Sequence, residues 1–234
     1  MSTNTSNRKA RAKADREARE AEKRAQQRRQ RLMLGGVGAV VLVLAVVIGV
    51  LSAGESAESP DIPTVDEVAG DPTIEGEGLS PAPQDPGDDT DIGSPAPVVH
   101  GEDFDDTPVT IGEPGQPQLI AFMASWCPAC DEELPHVVDW LEAGNLPDDV
   151  ELVSVATSHD RTRPNWPPQD WFAQAGYTAP VIVDDADSSI AQAYGLTATP
   201  YWVAVDGDGQ VASRLTGIIG QEQMSRLADQ VSGT

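Results

Sequence analysis

The feature that most restricts the fold of this chain is a run of twenty uncharged residues at positions 32–51. An α-helix rises about 1.5 Å per residue, so the run spans roughly the 30 Å hydrocarbon core of a bilayer. It lacks the polar face that a helix of a soluble protein shows at this length. We therefore predict a transmembrane anchor at residues 32–51, with a cleaved signal peptide as the alternative. In both cases the residues that follow must supply any folded domain.

The residues before this run form a basic arm at positions 1–31, which holds 11 of the 15 lysines and arginines. Basic residues that flank a membrane span stay on the cytoplasmic side. The carboxy-terminal part is therefore predicted to be extracytoplasmic, attached to the cell membrane by a single span. From residue 35 onward the chain has four arginines, no lysine and 34 acidic residues. Such an acidic body excludes nucleic acid as a partner.

Residues 52–103 are rich in proline, glycine and acidic residues, and residues 52–100 contain no aromatic residue, lysine or arginine. A segment of this composition buries too little apolar surface to offset the entropy lost on ordering. We predict that residues 52–103 are a disordered linker. The linker would hold a domain of residues 104–234 away from the membrane.

Residues 104–234 alternate between short apolar runs and turn residues, a pattern typical of one α/β domain. Strands are predicted at residues 118–124, 150–156, 180–183, 201–205 and 210–215, and helices at residues 130–143, 168–175, 187–194 and 221–231. Asp187 is the predicted cap of the third helix. The last two strands flank an Asp-Gly-rich turn, which indicates a hairpin. The domain is therefore predicted to have a mixed central sheet flanked by helices on both faces.

Cys127 and Cys130 are the two cysteines of the chain, and they stand where the first predicted strand passes into a helix. A helix amino terminus offers unpaired N–H groups and a positive dipole end, which both favour a thiolate. Pro128 suits the first helical position, where its missing N–H costs nothing. We expect Cys127 to be the exposed nucleophile and Cys130 to resolve the mixed disulfide. Half a zinc site and a structural disulfide are weaker alternatives, and no metal or cofactor is predicted.

Two segments carry a resemblance to a known family. The sequence FMASWCPACDEELP at residues 122–135 resembles the active-site segment of TlpA/ResA-type membrane-anchored thiol-disulfide oxidoreductases. The sequence YGLTATP at residues 194–200 resembles the loop whose cis-proline faces the cysteine pair in thioredoxin folds. The resemblance implies a thioredoxin-like fold and a cis Thr199–Pro200 bond, whereas the residues alone would favour trans.

The resemblance also implies roles for residues outside the cysteine pair. Pro200 and Glu133 are predicted to join the cysteines in catalysis, with Glu133 as a proton acceptor. A solvated helix carboxylate is the alternative for Glu133. Trp126, Thr199 and Tyr201 are predicted to bind the substrate, which would pair with the backbone of Thr199 as an added strand.

Three further features bear on the chemistry. Ala121 stands where thioredoxins carry a buried aspartate, so that route for a proton relay is absent. The acidic residues at positions 131–133 are expected to raise the cost of a thiolate, which predicts a middling or reducing couple. The proline-rich segment at residues 161–168 is interpreted as a plain connection, with a loop that shapes a substrate groove as the alternative.

Together these features predict a membrane-tethered enzyme that exchanges disulfides with protein thiol and disulfide substrates through a redox-active Cys-Pro-Ala-Cys pair. We favour a reductase supplied by a transmembrane electron donor, and the resemblance implies cytochrome c maturation for some relatives. The alternatives are an oxidase or isomerase for secreted proteins and a non-catalytic copper- or partner-binding module. A peroxidase fits less well, because the Thr-x-x-Cys arrangement of peroxiredoxins is absent.

Overall fold

The computed structural model describes residues 62–233. The predicted basic arm at residues 1–31 and anchor at residues 32–51 lie outside this range. Within residues 62–233, no helix combines the length and the apolar character that a membrane crossing requires. In chain order the elements are α1 (Val65–Val68), β1 (Thr73–Glu75), a 3₁₀ turn (Pro86–Asp88), β2 (Val98–Glu102), β3 (Pro108–Ile111), β4 (Gln118–Met123), α2 (Pro128–Glu142), β5 (Glu151–Ala156), α3 (Pro168–Gln174), β6 (Val181–Val183), α4 (Ser189–Ala193), β7 (Tyr201–Val205), β8 (Val211–Thr216) and α5 (Gly220–Val231).

The central sheet has five strands in the order β6-β5-β4-β7-β8. β4, β5 and β6 run parallel to one another, whereas β7 is antiparallel to β4 and β8 is antiparallel to β7. This is the predicted mixed sheet ending in a hairpin, and the predicted elements agree with the observed ones to within two residues. All six residues of β4 are buried, because strands and packed layers cover it on every side.

Successive residues of β4 serve two different cores, as the pleat of a strand requires. Leu119, Ala121 and Met123 join a core that contains apolar side chains of α2, α3 and α5. Ile120 and Phe122 join a second core on the opposite face, which contains side chains of α4. Helices therefore contribute to both cores, as predicted, but the second core is also covered by a further layer.

That cover is a three-stranded antiparallel sheet in the order β1-β2-β3, which was not predicted. Val99 of β2 and Ile111 of β3 are fully buried in the second core. The prediction of a disordered linker is therefore wrong for residues 62–103, and the compact unit begins at Ile62 rather than at residue 104. A few apolar side chains are enough to order this segment, because they pack on the apolar face that the central sheet already provides.

The polar groups of this segment also find partners, which the composition did not reveal. Arg214 of β8 donates from Nε to Asp89 Oδ2 at 2.8 Å and from Nη1 to the Ser80 carbonyl at 2.7 Å. Its Nη2 donates to the carboxylates of Asp89 and Asp91. The acidic residues therefore attach the segment to the domain instead of only keeping it extended.

The amino end of α4 is capped differently from the prediction. Asp187 is exposed, whereas Asp184, directly after β6, is fully buried. The Asp184 carboxylate accepts hydrogen bonds from the backbone N–H groups of Ile190 and Ala191 at 2.8 and 3.1 Å. Asp185 accepts one from the first residue of the helix. The predicted cap at Asp187 is therefore wrong, because the residue directly after the strand reaches the helix end first.

Candidate active site

The two cysteines lie at the amino end of α2, directly after the central strand β4. Cys127 is the residue before the first helical residue and Pro128 is the first, as predicted. The Cys127 backbone N–H donates to the Ala124 carbonyl at 3.0 Å, which closes the turn between strand and helix. Both thiols are free. The structure therefore holds the dithiol form of the pair.

The two thiols differ in burial, but less than expected. Cys127 is 8% exposed and Cys130 is fully buried. The expected order is therefore correct, while the expectation of an exposed tip for Cys127 is wrong. Cys127 is covered because its Sγ packs against the 194–200 loop, where it donates to the Thr199 carbonyl at 3.4 Å.

The pKa values of the two thiols move in opposite directions. Burial alone would raise the pKa of Cys127, but hydrogen bonds from the Thr199 side chain and from the backbone N–H groups of Cys130 and Ala129 outweigh it and lower the pKa. Burial raises the pKa of Cys130 to about 12. Cys127 is thus the thiol that ionises, which agrees with its predicted role as nucleophile. The expected penalty from the acidic residues at 131–133 does not set the direction, since the helix-terminal donors act directly on the sulfur.

The loop opposite the cysteines contains the expected cis peptide bond between Thr199 and Pro200. Thr199 is half-buried next to Cys127, and Pro200 is buried. Tyr201 is fully buried, and its hydroxyl donates to the Tyr194 carbonyl at 2.8 Å. The Tyr201 side chain therefore lies in the second core, and its role in substrate binding stays a prediction.

Trp126 lies at the site and contacts residues 158–163, which overlap the proline-rich segment at residues 161–168. Its Nε1 donates to the Ser158 carbonyl at 2.6 Å. The Arg163 guanidinium carbon lies 4.5 Å from the centroid of the Trp126 ring, a cation–π contact. Asn165 Nδ2 donates to the Ser125 carbonyl at 2.9 Å. Residues 161–168 therefore contact the cysteine motif, which favours the alternative of a groove-shaping loop over a plain connection. The two arginines in an otherwise acidic domain were the available signal.

Glu133 lies one turn after Cys130 on α2 and is fully buried. Its Oε1 accepts a hydrogen bond from the Ile219 backbone N–H at 3.2 Å, and its Oε2 has no partner within the described residues. Burial raises the pKa of Glu133, against the lowering effect of hydrogen bonds from Ile219 and Gly220. The alternative of a solvated carboxylate is therefore wrong for Glu133, although it fits the exposed Glu132.

This geometry defines the class of protein. A thiol of lowered pKa, a buried second thiol one helical turn away and a cis-proline loop against the first thiol form a dithiol oxidoreductase site on a thioredoxin-like fold. The chain belongs to the Redoxin family, whose pattern matches residues 91–230, more than half of the chain.

Individual relatives agree with this assignment. Sporulation thiol-disulfide oxidoreductase A of Bacillus subtilis (strain 168) is 24% identical over 133 residues, which are 57% of this chain and 76% of that protein. Thiol-disulfide oxidoreductase ResA of Geobacillus thermodenitrificans (strain NG80-2) is 23% identical over 117 residues, 50% of this chain and 64% of that protein. The chain thus spans just under two thirds of the ResA relative. It is a TlpA/ResA-like thioredoxin-fold thiol-disulfide oxidoreductase.

A solved structure shows the same fold. It is the crystal structure of a thiol:disulfide interchange protein of the thioredoxin family from Chlorobium tepidum TLS, which matches with a TM-score of 0.50 at 23% identity. The match covers 59% of this chain and 96% of that one.

Proposed function

We propose that this chain is an extracytoplasmic, membrane-tethered oxidoreductase that reduces disulfides in protein substrates. The observation that supports this most directly is the contrast between two neighbouring thiols. The pKa of Cys127 is lowered, whereas the pKa of the buried Cys130 is raised to about 12. Disulfide exchange needs one thiol that attacks as a thiolate and a second that stays protonated until the mixed disulfide has formed.

The reaction follows from this contrast. The Cys127 thiolate attacks one sulfur of a substrate disulfide, and the second substrate sulfur leaves as a thiolate that takes up a proton. Cys130 then loses its proton and attacks Cys127 Sγ. This step releases the first substrate sulfur, which is protonated, and leaves a Cys127–Cys130 disulfide. The substrate gains two electrons and two protons. A transmembrane dithiol donor then reduces the Cys127–Cys130 disulfide again, and so regenerates the dithiol form of the pair.

Glu133 and the Thr199–Pro200 loop complete the proposed site. Glu133 follows Cys130 by one turn, has a raised pKa and keeps Oε2 without a partner, so it is suited to take the proton from Cys130. Thr199 lies against Cys127 and is the proposed backbone partner for an extended substrate. Trp126, which directly precedes Cys127, is the proposed second contact for the substrate.

The reductase direction rests on the residues around the thiols. The Pro-Ala pair between the cysteines lacks a histidine that would stabilise the reduced form, and the buried Cys130 is costly to ionise. The lowered pKa of Cys127 acts in the opposite sense, so the couple should be intermediate. Equilibration with glutathione should give a potential below about −150 mV, and a higher value would contradict the reductase direction.

A trapping experiment tests the proposed function. Cys130→Ser leaves Cys127 able to attack but removes the resolving sulfur, so mixed disulfides with extracytoplasmic clients should accumulate. Cys127→Ser is the matched control and should trap nothing. Apocytochrome c among the trapped proteins would support cytochrome c maturation, and oxidised secreted proteins would support a wider role. Absence of any mixed disulfide with Cys130→Ser would contradict the proposal.

The same assay tests Glu133. Glu133→Gln should lengthen the lifetime of the mixed disulfide in the otherwise intact chain, because Cys130 loses its proton acceptor. The effect should be strongest above the raised pKa of Glu133, where the wild-type carboxylate is ionised, and should fade at lower pH, where wild-type Glu133 is protonated as well. Glu132→Gln changes an exposed neighbouring carboxylate and should leave the lifetime unchanged. Equal lifetimes for the two variants would refute the role of Glu133.

A further inference from the structure

The segment at residues 158–167, here called the arginine loop, is fastened to the cysteine motif at both of its ends. Near its start, the Ser158 carbonyl accepts the hydrogen bond from Trp126 Nε1 at 2.6 Å. Near its end, Asn165 donates to the Ser125 carbonyl at 2.9 Å. Ser125 and Trp126 directly precede Cys127. The loop is therefore attached to the residues that directly precede the nucleophile.

The arginine loop carries an unusual concentration of positive charge for this domain. Residues 62–233 contain 31 acidic residues, no lysine and four arginines, two of which are Arg161 and Arg163. Both side chains are exposed. Of the other two, Arg214 is buried against Asp89, and Arg226 pairs with Glu222 on α5.

The position of this charge relative to the cysteines is set by Trp126. The Arg163 guanidinium lies over the Trp126 ring, with its carbon 4.5 Å from the ring centroid, and Trp126 is the residue before Cys127. Asp160 of the loop and nearby Glu67 interact electrostatically with Arg163 and Arg161, and both carboxylates keep their negative charge, because their hydrogen bonds with Thr162 and Thr64 lower their pKa. The two guanidinium groups are nevertheless exposed, so they remain accessible to a carboxylate of an incoming chain beside the nucleophile.

We propose that Arg161 and Arg163 determine substrate specificity by selecting polypeptide segments with acidic residues beside the disulfide. This inference rests on the proposed function, since it names the substrate class of the same site. The rest of the surface repels an acidic chain, so the arginine loop orients such a chain with its disulfide at Cys127. Charge complementarity of this kind acts mainly on the rate of encounter and on partner choice.

The test uses three disulfide peptides of equal length whose flanking residues are glutamate, glutamine or lysine. The full chain, reduced and held in a neutral detergent, is mixed with each peptide at low ionic strength, and tryptophan fluorescence follows the single turnover. The acidic peptide should react at least about threefold faster than the neutral one, and 0.5 M salt should remove the difference. A purely global effect of the acidic domain predicts the reverse order, with the lysine peptide fastest.

Variants assign the effect to the loop. The double variant with Arg161→Gln and Arg163→Gln should lower the ratio of the rate with the acidic peptide to the rate with the neutral peptide about threefold or more. The double variant with Arg161→Lys and Arg163→Lys preserves the charge and should keep most of this rate ratio. Arg226→Gln removes an exposed arginine on α5 and should leave the ratio unchanged.

The outcomes separate the two proposals. The specificity inference would be overturned if the double Gln variant had the same acidic-to-neutral rate ratio as the wild type, or if the wild type reacted fastest with the lysine peptide. Neither result would contradict the proposed exchange of disulfides. Failure of all three peptides to react would contradict the proposed function and this inference together.

Discussion

At the scale of single residues, the chemistry depends on which hydrogen-bond donors reach each sulfur. Cys127 Sγ lies where two backbone N–H groups and the Thr199 side chain converge, so its thiolate is stabilised despite burial. Cys130 is only three positions away, but it lies inside the core and is dominated by burial. The division of labour between the thiols therefore follows from their place at the helix end.

Replacing Thr199 by Val tests this account, because it removes the hydroxyl and keeps the size of the side chain. The pKa of Cys127 should rise, and its alkylation by iodoacetamide at pH 7 should slow roughly threefold or more in a Cys130→Ser background. The pH profile of alkylation should shift to higher pH. Thr197→Val, at an exposed position of the same loop, is the control. Identical profiles for both variants would show that the Thr199 hydroxyl does not stabilise the thiolate.

At the scale of elements, α2 and α4 begin at the same edge of the sheet and use it differently. β4, β5 and β6 are parallel, so their carboxyl ends meet at one edge. After β6, Asp184 accepts hydrogen bonds from two N–H groups of α4 and from Thr157 Oγ1 at 2.6 Å. After β4, the corresponding helix end has Cys127 instead of a carboxylate. One helix end is thus used for stability and the other for reactivity.

Asp184→Ala should lower the free energy of unfolding by about 2 kcal/mol or more, because it removes a helix cap and leaves buried donors without an acceptor. Asp187→Ala should cost less than about 0.5 kcal/mol, since that side chain is exposed. Urea denaturation of the two variants measures the difference. Equal losses of unfolding free energy in the two variants would support Asp187 as the cap of α4.

At the scale of the whole described molecule, residues 62–103 are a layer of the domain. The side chains of Arg214 and Asp89 are 1% and 0% exposed, and their ion pair joins this layer to β8. The Tyr194 hydroxyl adds a buried hydrogen bond to the Pro97 carbonyl at 2.6 Å. Removal of either partner of a buried pair leaves an uncompensated charge, which is more costly than loss of an exposed pair.

Asp89→Asn should therefore destabilise the protein by about 3 kcal/mol, whereas Glu222→Gln at the exposed pair should cost less than about 1 kcal/mol. The hydrogen bond from Arg214 lowers the pKa of Asp89 in the folded protein. The ion pair therefore stabilises the fold fully above the ordinary aspartate pKa of about 3.9. This contribution is lost as the pH falls toward the lowered pKa of Asp89 in the folded state. Urea titrations at pH 7 and pH 3 should give a smaller difference between wild type and Asp89→Asn at the lower pH. A difference that does not depend on pH would contradict this explanation.

Local patterns predicted the elements after residue 118 and the cysteine pair, because strand periodicity, turn residues and helix-end chemistry act over a few neighbouring positions. The sheet formed by β1, β2 and β3 was missed because its strands have only three to five residues, and β1 and β2 lie in a segment rich in proline, glycine and acidic residues. Tyr201 was assigned to the substrate because it follows Pro200 directly. Its burial depends on Phe122 and Tyr194, which lie elsewhere in the chain.

The sequence by itself determined that a dithiol stands at the start of a helix after a buried strand, since the residues concerned are neighbours and their preferences are local. Tertiary structure decided how far each sulfur is shielded, which carboxylate is buried and which loop contacts the cysteine motif. Those properties arise where segments separated by tens of residues pack together, for example Ser158 against Trp126 and Asp89 against Arg214. Packing also decided that an acidic, proline-rich segment is ordered, because the segment packs on an apolar face of the sheet and its carboxylates pair with the buried guanidinium of Arg214.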